Sequence, residues 1–156
     1  MAENFYLRKA TVRDVKPIHA MLLQTAAEGL LLPRALNQLY NHLRDFHVLD
    51  ACDGSGLAGC CALSVTWEDL AEIRSLVVNV SLRGQGYGRM LARVCMDEGA
   101  ALGIGRVFTL TYQVEFFGTL GFGEVSKDQL PQKVWADCIH CPKFPECDEH
   151  AMLLEL

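Results

Sequence analysis

The stretch "SLRGQGYGRM", residues 81–90, sets three glycines at alternate positions between two arginines, directly after the apolar run "EIRSLVVN". Glycine at that density lets backbone amides come close to a ligand. Two familiar phosphate cradles are excluded by spacing. A P-loop needs Lys and then Ser or Thr directly after its last glycine, whereas Gly88 is followed by Arg89 and Met90. The dinucleotide fingerprint G-x-G-x-x-G also fails, because its third glycine falls on Arg89 counted from Gly84 and on Leu91 counted from Gly86. What remains is a strand, then Arg-x-x-Gly-x-Gly, then a helix. Consecutive amides at a helix N-terminus, backed by the helix dipole, suit a diphosphate, and Arg83 and Arg89 add charge. The plainer reading of the same residues is a tight turn that caps a helix.

The rest of the chain sets the bounds. Its 156 residues, 51% of them apolar, suit one domain over 1–156 with a sizeable core. A formal net charge of −5 argues against nucleic acid, which would need several phosphates neutralised at once. No N-terminal signal pattern and no apolar run of about eighteen residues is present, so the expectation is a soluble, cytoplasmic chain with no membrane partner. The seven cysteines are an odd number and scattered, which reads as reduced thiols rather than a secreted disulfide framework.

Periodicity outlines an α/β (α+β) chain. "NFYLRKA" reads as a first strand, and Thr11 with Asp14 resembles a capping box that opens a helix running to about Ala27. "GLLLPR" interrupts, and helical spacing resumes over 34–45 through Leu36, Leu39, Tyr40 and Leu43. "FHVLDAC", "LAGCCALSVTW" and "LAEIRSLVVNV" form an antiparallel meander split by turn signals. Residues 86–102 are a helix with Tyr87, Leu91, Val94, Cys95 and Leu102 on one face. "RVFTLTY" is a strand, "VEFFGTL" a short helix and "AMLLEL" a closing strand.

Arg83, Gly86 and Gly88 match the Arg/Gln-x-x-Gly-x-Gly/Ala motif, and with this order of elements the chain resembles the GNAT N-acetyltransferases. The resemblance implies the acyl-CoA N-acyltransferase fold, a mixed central sheet flanked by helices, and acetyl-CoA as co-substrate. It assigns the donor to "SLVV" through Leu76, Val77 and Val78, to Arg83, Gly84, Gln85, Gly86, Tyr87, Gly88 and Arg89, and to Phe117 within "FFGTLGF". Many members carry a tyrosine where this chain has Phe117, so the acid that protonates the leaving thiolate is not supplied there. "GLLLPR", "AEIRSLVV", "LPQKVWADC" and "CPKFPECDE" together resemble the short bacterial N-acetylglutamate synthases, the amino-acid N-acetyltransferases of arginine biosynthesis.

A dicarboxylate acceptor calls for forked cationic donors, for which Arg34 and Arg74 are candidates and Lys133 a weaker third. Arg74 stands two residues from Glu72, so the two side chains share a face of their strand. Glu72 is the candidate base, by its likeness in "AEI" to the glutamate of the histone acetyltransferase branch, and Tyr112 the candidate acid. For Arg34 and Arg74 the alternative is a surface ion pair, and for Glu72 a salt bridge to Arg74 or a neighbouring strand. Partners expected are L-glutamate or another small amine, with a homodimer left open. Beside glutamate acetylation stand an acetyltransferase for another amine or a protein N-terminus, and a non-enzymatic CoA-binding regulatory module.

Cys138, Cys141 and Cys147, with His140 or His150 as a fourth ligand, raise zinc as a question. A second paired motif is missing, so a reduced structural cluster, or a disulfide formed on oxidation, is the preferred account.

Overall fold

The computed structural model describes residues 4–29, 34–130 and 149–156. Its elements are β1 (Phe5–Lys9), α1 (Val15–Ala27), α2 (Leu36–Asn41), β2 (Phe46–Ala51), β3 (Leu57–Trp67) and β4 (Leu70–Val78), then α3 (Tyr87–Ala101), β5 (Arg106–Thr111), α4 (Val114–Thr119), β6 (Gly123–Val125) and β7 (His150–Glu155). The strands form one mixed sheet in the order β1-β2-β3-β4-β5-β7-β6. β1 to β4 run antiparallel, as the turn signals predict, and β4 meets β5 in parallel. Helices flank the sheet, as the resemblance implies.

The packing follows from side-chain alternation. Along β3, Cys61 and Leu63 join the cluster under α3, with Ile73, Leu91 and Cys95. Cys60 and Ala62 point the other way, to the cluster under α1 and α2 with Ile18, Leu22 and Leu39. A strand covered on both faces is apolar without a break, which is how "LAGCCAL" reads.

Five details depart from the periodicity. β6 lies outside the sequence reading. α2 is shorter than 34–45 and passes into a 3-10 turn at Leu43–Asp45. Tyr40 is 42% exposed. Leu102 is 61% exposed because α3 ends at Ala101, and Val94 is only half-buried.

The start of α1 is tied down by a polar knot. The buried Asp14 carboxylate accepts from Arg8 Nη1 and Nη2 at 2.7 and 2.9 Å, and from Thr11 N at 2.7 Å and Oγ1 at 3.1 Å. The Arg8 guanidinium, opposed by burial and helped by the Thr11 N–H, holds the Asp14 carboxyl below the usual carboxylate range. A carboxyl whose pKa falls on folding contributes stability above its unfolded value, and the contribution fades as pH drops through the folded value. Asp14→Asn should therefore cost about 2 kcal/mol at pH 7, for lost charge-assisted hydrogen bonds. Urea unfolding of both proteins should show this gap intact above about pH 5 and closing below about pH 4.

Candidate active site

The sheet opens where β4 leaves β5. Their ladder covers Leu70–Glu72 against Arg106–Phe108 and ends there, followed by one hydrogen bond from Thr109 Oγ1 to Ile73 O at 2.8 Å. Beyond it lies a bulge. β4 pairs with β3 as Arg74↔Ala62 and then Val77↔Cys60, which leaves one extra residue, and Ser75 takes a left-handed φ of 57°. Burial pushes the Cys60 thiol up to about 12, so it stays protonated and donates to Ser75 O at 3.4 Å. Gly59 makes room for the displaced strand: a Cβ there would lie 2.7 Å from Val77 O. Gly59, Cys60 and Ser75 were not singled out from sequence. A glycine inside an apolar strand was the available signal for the first.

Val78 leads through a 3-10 turn, Val80–Leu82, into the glycine loop. Gly84 and Gly86 have φ of 79° and 92°, and Gly86 is the N-cap of α3 with no side chain capping the helix. The first amides of α3 therefore have no capping side chain as partner. Gly88 packs instead: a Cβ would meet the Phe116 ring at 3.5 Å, an ordinary contact. Gly88→Ala should accordingly gain about 0.5 kcal/mol from helix propensity, raise Tm by about 1–2 °C and leave donor affinity unchanged, read by thermal melting and calorimetry.

The structure places the other predicted residues as follows. Tyr87 is 3% exposed and stacks edge-on against Phe5, with centroids 5.1 Å apart, so its ring belongs to the core. Phe117, 5% exposed, is likewise enclosed by Phe116 and Phe122. The Val77 side chain packs under α1 while Leu76 and Val78 face the α3 cluster, which leaves the backbone of this segment as the part that can face a ligand. Gln85 and Arg89 are exposed, Arg89 lining a groove of about 390 Å³ with Leu7, Gly86, Met90 and Arg93. Arg83 is engaged: its Nε donates to Val78 O at 3.2 Å, and Nη1 and Nη2 grip the Glu28 carboxylate at 3.0 and 3.2 Å.

Glu72 and Arg74 do share a face, with Arg74 Nη1 3.6 Å from Glu72 Oε1 and both side chains largely buried. This is the salt bridge that stood as the alternative for Glu72; for Arg74 the pair is buried and not at the surface. Glu72 is also the last β4 residue laddered to β5, at the apex of the opening. Arg34 is half-buried two residues before α2, and Tyr112 half-buried just past β5. Lys133, Cys138, His140, Cys141 and Cys147 lie outside the described residues. His150 is held by Glu124, Nδ1 to Oε2 at 2.8 Å, and among the described residues no His, Cys, Asp and Glu side chains gather as a metal site.

An opened parallel seam that leads into uncapped helix amides is the site of a transferase that takes its group from an acyl-CoA donor. The sequence model described as the acetyltransferase (GNAT) family matches residues 18–122, and the chain belongs to that family. It is an acetyltransferase that uses acetyl-CoA. An uncharacterised N-acetyltransferase of Chlorobaculum tepidum is 38% identical over 155 residues, 99% of each chain. An amino-acid acetyltransferase of Mycobacterium tuberculosis is 35% identical over 130 residues, covering 83% of this chain and 74% of that one. Among solved structures, N-acetylglutamate synthase from Neisseria gonorrhoeae, complexed with coenzyme A and N-acetyl-glutamate, superposes with a TM-score of 0.84 at 28% identity. That match covers 97% of this chain and 35% of the gonococcal one. No helix among the described residues is long and apolar enough to cross a membrane.

The residues present fit the donor. A Cβ on Gly86 would meet nothing within 4 Å, so the protein leaves open space beside the uncapped amides, as a diphosphate requires.

Proposed function

We propose that the chain transfers the acetyl group of acetyl-CoA to the α-amine of L-glutamate, the first step of arginine biosynthesis. The observation that supports this most is the Glu72–Arg74 pair at the apex of the opening, which puts a carboxylate and a forked cation side by side where donor and acceptor would meet. The amino-acid acetyltransferase relatives favour the same substrate class.

Bound acetyl-CoA supplies a thioester carbonyl open to attack. The backbone of Leu76–Val78 would hold its arm, and the amides from Gly86 to Arg89 its diphosphate. Arg34 and Arg74 bind the acceptor carboxylates. Glu72 takes the proton that the ammonium must shed; as the C–N bond forms and the C–S bond breaks, the Tyr112 hydroxyl gives its proton to the departing sulfur and is restored by the second proton that the nitrogen loses.

A screen of amino acids and polyamines with acetyl-CoA, following thiol release, tests the reading. Turnover with glutamate far above all others supports it. Preference for another amine moves the chain to that substrate, and binding of CoA without turnover of any amine favours a regulatory module. Arg34→Ala should raise the glutamate KM by one to two orders of magnitude, roughly the loss of a charged hydrogen bond of about 1.5–3 kcal/mol, with kcat little changed. Arg74→Ala should lower kcat as well, because it also removes the partner of Glu72.

A further inference from the structure

The Arg83 fork that a diphosphate would use is held by Glu28, 55 residues away in sequence. The geometry is specific. The Nε bond to Val78 O fixes the guanidinium against the end of β4, and both carboxylate oxygens of Glu28 take one Nη each. A planar fork accepts one bidentate anion on that edge. The placement of Glu28 has no helical reason, because it is the C-cap of α1, where the helix dipole disfavours a carboxylate. Arg83 holds the Glu28 carboxyl below the usual carboxylate range, so it stays an anion. The pair is also exposed to solvent, where such bridges are weak and readily exchanged.

We propose that Glu28 is a built-in occupant of the diphosphate cradle: its carboxylate takes the Arg83 fork, and the donor enters by exchanging one anion for the other, which detaches the C-terminal end of α1 from the cradle. The proposal rests on reading the loop as the donor site, and makes Glu28 a positioning residue that sets donor affinity without touching the donor.

Calorimetric titration of the full chain with coenzyme A tests it in four proteins: wild type, Glu28→Gln, Arg83→Gln and the double variant. Glu28→Gln should tighten coenzyme A about two- to five-fold, the worth of an exposed ion pair, and the same change in the Arg83→Gln background should do nothing. Equal tightening in both backgrounds would reduce Glu28 to a distant charge, and unchanged or weaker binding would show that it does not compete; either overturns the proposal. Hydrogen exchange gives a separate readout. The Glu28 and Gly29 amides, now bonded to Thr25 O at 3.1 Å and Ala26 O at 3.0 Å, should exchange faster once coenzyme A is added. Unchanged or slower exchange there would overturn the release of α1. Absence of coenzyme A binding in all four proteins would instead overturn the donor reading, and the exchange of anions with it.

Discussion

Glu72→Gln is expected to lower kcat by about a hundredfold or more, leave both KM values nearly unchanged and remove the acidic limb of the rate profile. An α-amine with a pKa of roughly 8 or higher is mostly ammonium at neutral pH and cannot attack a carbonyl until it loses a proton. Glu72 stands at the last rung between β4 and β5, next to the segment that has left the β5 ladder. The amide keeps the shape and can still accept a hydrogen bond from Arg74, but cannot take the proton. Steady-state rates from pH 6 to 9 decide the matter. A near-normal kcat throughout would leave Glu72 as the ion-pair partner of Arg74 and give the proton to solvent or to the substrate's own carboxylate.

The second large effect is expected at Gly86, where Val should abolish measurable coenzyme A binding, a loss of at least about a hundredfold. Two causes combine. Gly86 sits at φ 92° and ψ 1°, a left-handed geometry that a β-branched residue adopts only with about 1–3 kcal/mol of strain. Its carbonyl accepts from Met90 N at 3.1 Å, so the strain falls on the first turn of α3, and the new side chain fills the space beside the first amides of that helix. A melting temperature lowered by only a few degrees would show the fold intact while calorimetry reads the lost affinity. Unchanged affinity would remove the loop from the donor site. The contrast with Gly88→Ala, whose added methyl faces the Phe116 ring and leaves the Gly88 amide in place, separates the space in front of the amides from the packing behind them.

Much of the architecture was legible because alternation and helical spacing are local signals. β3 was read to the residue, and the glycine loop fell between β4 and α3 as its spacing required. β6 escaped because three residues, "GEV", carry no period of their own and are held by pairing with β7. Leu102 was misassigned because a periodic pattern does not say on which turn the helix stops. The site was legible in part. The shared face of Glu72 and Arg74 follows from strand geometry, but the grip of Glu28 on Arg83 is a contact between distant segments that no local pattern encodes. Tyr87 and Phe117 stand inside motif segments, yet their rings are spent on the core, since a motif match marks a backbone path and not the direction of each side chain.

The extra residue at Ser75 reverses the parity of β4. Before it, Glu72 and Arg74 look away from α3 while Ala71 and Ile73 pack beneath it; after it, Val77 takes the outward side and Val78 the inner one. A chain otherwise alike but one residue shorter between Glu72 and Val78 would keep an unbroken two-residue period, and its strand would have no cause to bend away from its neighbour. That count offers a yardstick for remote relatives: a residue lost from this strand should restore the two-residue period and put the residues on both sides of position 75 back in step.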